Sequence, residues 1–434
     1  MRWSGLTATF LFVSVLSASV TAENWPGWRG PRGDGTSHDE NPPLRWDGIT
    51  GDNVAWKATI PGSGHGSPVV WQDRVFLLSC VQESQERVLF CLDRNSGKVR
   101  WQQTVFRAPL ETKHALNSFA SSTPVTDGKL VYVTFLEVDG STAPAKNVSR
   151  VRPVTPGSVV VAAYDMQGNQ KWLARPGGFV SVHGFCSCPV LWKDLIIVNG
   201  DHDGDSYMVA LKRSNGETVW KQNRQHKTRS YATPIIRDID GRTQLVFSGS
   251  KCIVSLDPAD GSCHWEIDGP TEQFVASMVF DGELFFMAAG FPDYHVMGIR
   301  PTGLGDVSET HVAWNQTNAR CYVPSPVVIN DYLLVADDRG TANCFEAKTG
   351  NRLWNERLGK HYSASLITAG GLVYFLADDG ITKIIRPGEK LAVVAENALG
   401  ESCFASPALS DGQLFVRSEQ SLYCIGQRGA TTAK

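Results

Sequence analysis

Cys91-Leu92-Asp93-Arg94-Asn95-Ser96-Gly97-Lys98-Val99-Arg100-Trp101 runs from an apolar segment through an Asp–Ser–Gly turn to a tryptophan, and the chain repeats this pattern. Ala210 to Trp220, Ser255 to Trp265 and Cys344 to Trp354 keep the same spacing, with Lys212 in the Asp place of the first. Ala163 to Trp172 is one residue shorter and keeps Asp165 and Gly168. Glycine turns the chain through a positive φ into an outer strand. An indole placed there can lie flat against a neighbouring unit and fill the seam between them. Trp56, Trp101, Trp172, Trp220, Trp265, Trp314 and Trp354 are therefore expected to be docking residues. Their separations of 45, 71, 48, 45, 49 and 40 residues set a repeat, and Val394 falls 40 further on, where an eighth member belongs.

A second feature runs out of phase with the tryptophans and has eight copies. These are Gly66-Ser67-Pro68, Ser122-Thr123-Pro124, Ser187-Cys188-Pro189, Ala232-Thr233-Pro234, Ala276-Ser277-Met278, Pro324-Ser325-Pro326, Ala364-Ser365-Leu366 and Ala405-Ser406-Pro407. Each leads into a turn and then an apolar run, as Asp127-Gly128 leads into Leu130-Val131-Tyr132-Val133, which is a hairpin signal. A third run, such as Val88 to Leu92, precedes the Gly–Trp element. Each unit is four short strands in roughly 40–50 residues with no helical period, the pattern of a propeller blade. The expected fold is all-β: an eight-bladed β-propeller of four-stranded antiparallel blades. Columns of small residues fit inner strands that crowd around a central axis. The last unit, Ser402 to Gly426, has only three strand-like runs, while Asn53-Val54-Ala55-Trp56-Lys57 has no unit of its own. The N-terminal strand should therefore complete the last blade and close the ring, leaving no open sheet edge.

The small-x-Asp-x-x-Ser/Thr-Gly-x-x-x-Trp stretch resembles the tryptophan-docking motif of the PQQ-like (pyrrolo-quinoline quinone) propeller repeat family, over about residues 53–427. That family includes eight-bladed quinoprotein dehydrogenases and the envelope assembly factor BamB. The resemblance is specific for fold and weak for function. Trp25-Pro26-Gly27-Trp28-Arg29-Gly30-Pro31 is similar to the start of secreted PQQ-like propellers of planctomycete-type bacteria. In quinoprotein dehydrogenases the resemblance implies an axial quinone, a Ca²⁺ held by carboxylate and amide oxygens, an Asp base and an adjacent Cys–Cys disulfide. This chain has no adjacent cysteine pair, Cys186-Ser187-Cys188 being the nearest approach.

Charge and composition narrow the function further. Lys and Arg number 41 against 44 Asp and Glu, a net charge of −3 that argues against nucleic acid and against a polybasic membrane patch. Residues 1–22 carry Arg2, an apolar stretch from Leu6 to Val20 and the small-residue end Val20-Thr21-Ala22, so they read as a signal peptide. No cysteine lies near that end, so a lipid anchor is not expected, and no later run is long enough to span a membrane. The expected location is periplasmic or secreted. The ten cysteines could pair there, with Cys80/Cys91 and Cys252/Cys263 as cross-strand candidates, or remain small buried hydrophobes. Residues 23–52 form a Gly/Pro/Trp-rich segment, either an arm anchored on the ring by Trp25 and Trp28 or a flexible tether; 53–427 form the propeller and 428–434 a tail. Val138 to Gly157 reads as an exposed loop inserted in the second blade.

Two clusters could carry chemistry. His65, Asn117, His183, Tyr231, Arg320, Tyr322, His361 and Tyr362 lie just upstream of the small-residue columns. In a propeller they come from different blades and face one axial opening, where they would suit an anionic ligand or a metal, or simply be loop residues with no common partner. Asp201-His202-Asp203-Gly204-Asp205 resembles part of a Ca²⁺ loop, but Lys212 stands where the late bidentate Glu belongs, so a polar hairpin is the competing reading. No catalytic residue is assigned. The expectation is a non-catalytic, monomeric, BamB-like scaffold for an envelope or secreted protein or a small ligand, without a cofactor. The alternative is a PQQ- and Ca²⁺-dependent alcohol or sugar dehydrogenase with an axial funnel site.

Overall fold

The computed structural model describes residues 23–427. The signal sequence and the tail expected at either end lie outside them. Eight antiparallel four-stranded units follow one another, and the inner strands of successive units lie side by side around an axis. The first is Val69–Trp71, Arg74–Val81, Glu86–Asp93 and Val99–Arg107, ordered from axis to rim. The protein is an eight-bladed β-propeller. Val54–Thr59 pairs antiparallel with Ser421–Ile425, placing Trp56 opposite Cys424, so the N-terminal strand is the outer strand of blade 8. The chain thus closes its own ring and buries both strand edges.

The inner strands explain the eightfold small-residue columns in two ways. In six of the eight copies the Ser, Thr or Cys accepts a backbone N–H from its counterpart in the preceding blade. Ser67 N donates to Thr123 Oγ1 at 3.0 Å, Thr123 N to Cys188 Sγ at 3.2 Å, and Thr233 N to Ser277 Oγ at 3.1 Å. Ser277, Ser325 and Ser365 pass the pattern on to Ser406 at 2.9 Å per link. These groups form a belt around the axis that satisfies buried amides a sheet ladder cannot reach. The residue before each belt position faces the next inner strand instead. A Cβ on Gly66 would lie 2.2 Å from Ser122 O. Crowding thus selects one column and hydrogen bonding the other.

An indole hydrogen bond across the seam forms at six of the seven predicted positions. Trp56, Trp101, Trp172, Trp220, Trp314 and Trp354 donate Nε1–H to Arg94 O, Met166 O, Arg213 O, Pro258 O, Ala347 O and Gly388 O, each in the following blade. Five of these indoles pack on the turn glycine of that blade, Gly97, Gly168, Gly216, Gly261 or Gly350, where an added Cβ would come within 2.5 to 2.9 Å of the ring. Each of these glycines also has a positive φ. The glycine of the repeated motif therefore receives the previous blade's tryptophan.

Trp265 packs in the core shared by blades 4 and 5, but its hydrogen bond does not cross the seam. It is fully buried and donates instead to Gln244 Oε1 of its own blade at 2.8 Å. The physical reason lies in blade 5, whose third and fourth strands are joined by a long connection rather than a tight turn. Gly305–Asp306 of that connection pairs parallel with Trp265 and Glu266 and covers the indole.

Three further expectations are corrected or decided. All ten cysteines are free. The proposed cross-strand pairs are out of register, since Cys80 faces Arg87, Cys91 faces Phe76, Cys252 faces Asp268 and Cys263 faces Leu256. The blade-2 insertion is not a plain loop: Ala143–Pro144 pairs with Pro153–Val154 in a small hairpin. The 23–52 segment is a docked arm. Trp25 exchanges two 2.9 Å backbone bonds with Val70, and Pro26 O accepts from Thr126 N at 2.8 Å. Arg29, fully buried, donates to Pro326 O, and Gly35 and Ser37 bracket Thr368 with two 2.8 Å bonds. Asp34 pairs with Arg237 at 2.8 Å, and Ser410 Oγ donates to Glu23 O at 2.6 Å. The arm thus crosses the far ends of the inner strands and plugs that end of the axial channel.

Candidate functional site

Because the arm plugs one end, the axis is a cup. Its cavity holds about 450 Å³, with the Trp28 indole as part of its lining. Trp28 Nε1 donates to Ser277 Oγ of the belt at 3.1 Å, which fixes the ring in place. Side chains alternate along a strand, so residues two before the belt share its axial face. All eight of them line the cup: His65, Ser121, Cys186, Tyr231, Val275, Val323, Ser363 and Phe404.

Six of the eight predicted axial residues meet in this cavity: His65, Asn117, His183, Tyr231, Tyr322 and His361. Arg320 does not; it is exposed and outside the lining. Tyr362 is buried in the blade 6–blade 7 core instead. Sequence reasoning missed His114, Arg229, Gln273, Phe291, Asp338 and Trp28, among others. The available signal was register, because Arg229, Gln273 and His361 all lie four residues before a belt position.

The walls differ in chemistry. On one side, the His114 and His183 rings meet edge to face at 5.5 Å, and Asn117 Nδ2 donates to His183 O at 2.7 Å. His65 packs on Phe404 at 4.8 Å. Burial, aided by Arg229, His114 and Arg152, pushes the His183 pKa down to about 3. Burial with Arg417 and Lys113 pushes that of His65 to about 4. Both imidazoles are therefore neutral hydrogen-bonding groups at pH 7. On the other side, His361 Nδ1 meets Asp378 Oδ2 at 2.5 Å, and the same carboxylate accepts from Ser363 N and Oγ. Asp338 accepts from Val323 N at 2.9 Å. Asp338 and Asp378 thus pin the loops of blades 6 and 7 that carry the lining residues. Among the described residues no side-chain hydroxyl or thiol hydrogen-bonds the outer nitrogen of His361, so the pair has no attached nucleophile.

The Asp201–Asp205 cluster turns its carboxylates apart. It lies in the hairpin between Leu195–Gly200 and Tyr207–Lys212. Buried Asp201 takes Arg224 Nε at 3.2 Å and Ser230 Oγ at 2.8 Å. Asp203 takes Arg229 through both oxygens at 2.8 and 2.9 Å, and exposed Asp205 takes Lys227 at 2.6 Å. Among the described residues no three His, Cys, Asp or Glu side chains are grouped to hold a metal ion. The three aspartates close structural ion pairs.

A family model described as outer membrane protein assembly factor BamB matches residues 47–144, 143–289 and 306–387, more than half of the chain. The chain belongs to this BamB-type family of PQQ-like propellers. The crystal structure of BamB from Moraxella catarrhalis superposes with a TM-score of 0.60 at 12% identity, covering 86% of this chain and 99% of that one. The computationally designed Ika8 protein gives 0.55 at 11% identity, covering 85% and 98%. At these identities the two structures speak for the fold. No curated protein matches the chain. Among the described residues no helix is long and apolar enough to cross a membrane. Within this BamB-type chain the donors for a Ca²⁺-bound quinone do not fit. Cys186 and Cys188 are separated by Ser187, and the acidic groups at the cup are held by Val323, Ser363 and His361 rather than grouped as ligands.

The neutral histidines make acid stability a readout of the cup. Their folded pKa values lie below the unfolded value of about 6.5, so the unfolded chain binds more protons between the two. The stability they contribute is complete above about pH 6.5 and is lost as pH falls towards 4. The urea midpoint of the wild type should therefore drop more between pH 7 and 4.5 than that of a His65→Gln/His183→Gln variant. Parallel profiles would show that these imidazoles are not held neutral.

Proposed function

We propose that this chain is a non-catalytic binding scaffold of the cell envelope, exported by residues 1–22, whose ligand seat is the plugged axial cup. One observation carries the proposal: the arm converts an open channel into a rigid cavity lined by one residue from the same register position of every blade. A cavity of this size, part apolar and part hydrogen-bonding, suits a small molecule or a side chain offered by a partner protein. The family description, an outer membrane assembly factor, supports an envelope protein as partner. The cup offers no attached nucleophile at His361 and no grouped metal ligands, so a dehydrogenase is the less favoured reading.

Uptake of a neutral probe tests the seat. N-phenyl-1-naphthylamine should bind one per chain, and Val275→Trp, which fills the cup, should abolish the uptake while the melting temperature holds. Undiminished uptake by the variant would place the seat elsewhere. Dye-linked alcohol oxidation by the purified chain on adding PQQ and Ca²⁺ would make it an enzyme.

A further inference from the structure

Cations free of ion pairs with the described residues cluster on the blade 2 side of the cup, in a chain whose net charge is −3. The blade-2 hairpin leans over blades 3 and 4. Its tip residue Asn147, at a φ of 52°, donates Nδ2–H to Lys227 O at 2.6 Å and accepts from both terminal nitrogens of Arg229 at 3.2 and 3.3 Å. Arg229 lines the cup, so the tip is fixed to the cup wall. Around that tip the hairpin carries Lys146, Arg150 and Arg152, all exposed and none in an ion pair with the described residues. Lys113, on the lead-in loop of the same blade, hydrogen-bonds His114 O at 3.3 Å and lies over Phe119 at 5.1 Å. Behind His65, the Arg417 guanidinium is fully buried. Among the described residues it has one long contact, to Ser79 Oγ at 3.5 Å, and its Nε and one terminal nitrogen have no acceptor there. The nearby acids are already engaged, Asp203 with Arg229 and Asp205 with Lys227. The carboxylates of blades 6 and 7, Asp338 and Asp378, line or brace the opposite wall.

We infer that the cup takes a small organic anion, its ring-sized body against Trp28, Phe291 and Phe404 and its carboxylate, sulfonate or phosphate under the basic lip of Lys113, Lys146, Arg150 and Arg152. The inference rests on the cup being the ligand seat. It needs no metal. Low-dielectric walls focus the field of unpaired cations into a cleft and favour anions there. Hydrogen bonds from neutral imidazoles and amides then orient the anion, and the acids across the cup keep its charged end on the blade 2–3 side.

Two dyes of the same body separate charge from shape. 8-Anilinonaphthalene-1-sulfonate carries the anion and N-phenyl-1-naphthylamine does not. With EDTA present throughout, the sulfonate should bind one per chain. Its Kd should rise at least about fivefold in a Lys146→Ala/Arg150→Ala/Arg152→Ala variant. It should rise likewise between about 0.01 and 0.15 M salt, as the screening length falls from ~30 to ~8 Å. The neutral dye should be indifferent to both changes. Sulfonate binding that ignores the lip charges, while Val275→Trp still abolishes neutral-dye uptake, overturns the anion inference alone. If neither dye enters the wild type, the cup reading falls and the inference with it.

Discussion

Trp25→Ala is expected to destabilise the protein by about 3–5 kcal/mol, the range for removing a fully enclosed indole. Trp25 has no exposed surface, packs in the core shared by blades 1, 7 and 8, and carries the backbone bonds that start the arm along Val70. The loss should show as a lowered urea midpoint and as early proteolytic cleavage within residues 26–40. Trp25→Phe is the informative companion. The indole N–H of Trp25 is buried without an acceptor among the described residues, so phenylalanine keeps most of the packing and removes an unpaired donor. It should therefore cost far less. An alanine variant within about 1 kcal/mol of wild type would mean that the arm rests on the ring without holding it.

Gly66→Ala should be nearly as damaging, although it adds a single methyl group. The new carbon would meet Ser122 O at 2.2 Å, Ser122 C at 3.1 Å and Ala120 O at 3.3 Å, all backbone atoms of the next inner strand. No rotamer can relieve that contact, so blades 1 and 2 must separate, at a cost of about 3 kcal/mol or more. Gly388→Ala is the matched control. Its nearest neighbour would be Lys390 O at 3.9 Å, and it should be neutral or slightly stabilising. Equal midpoints for the two variants would remove crowding as the reason for the small column.

The repeat made most of the fold legible. Tryptophan spacing and the eight small-residue segments predict blade number, strand count and ring closure, because each reports a contact that recurs at every seam. The hydrogen-bond partner of Trp265 was not legible, because its seat depends on the length of a connection in another blade, 40 residues downstream, which no local motif records. The cup was legible only in part. His65 and Tyr231 stand out as polar residues before the belt, yet Cys186, Val275 and Phe404 occupy the same register position with unremarkable side chains. Counting two residues back from each Ser, Thr or Cys would have found them. Trp28 was noticed as an anchor, but not as part of the cup, because nothing local says that the arm crosses the axis. The Asp201–Asp205 run left a Ca²⁺ loop and a polar hairpin both open for a related reason. Carboxylates adjacent in sequence point in different directions once each has found its own cation.

Pairing Val54–Thr59 with Ser421–Ile425 has a consequence for timing. Of the described strands, the first to be synthesised has its partner in the last, so at about 5–20 residues per second it must wait on the order of half a minute for that partner to exist. Throughout that interval the arm also lacks most of the blades it will touch. The nascent chain therefore carries an unsatisfied, tryptophan-bearing leading end until its final blade emerges. Helpers that shield such segments would act on residues 23–59 first and release them last.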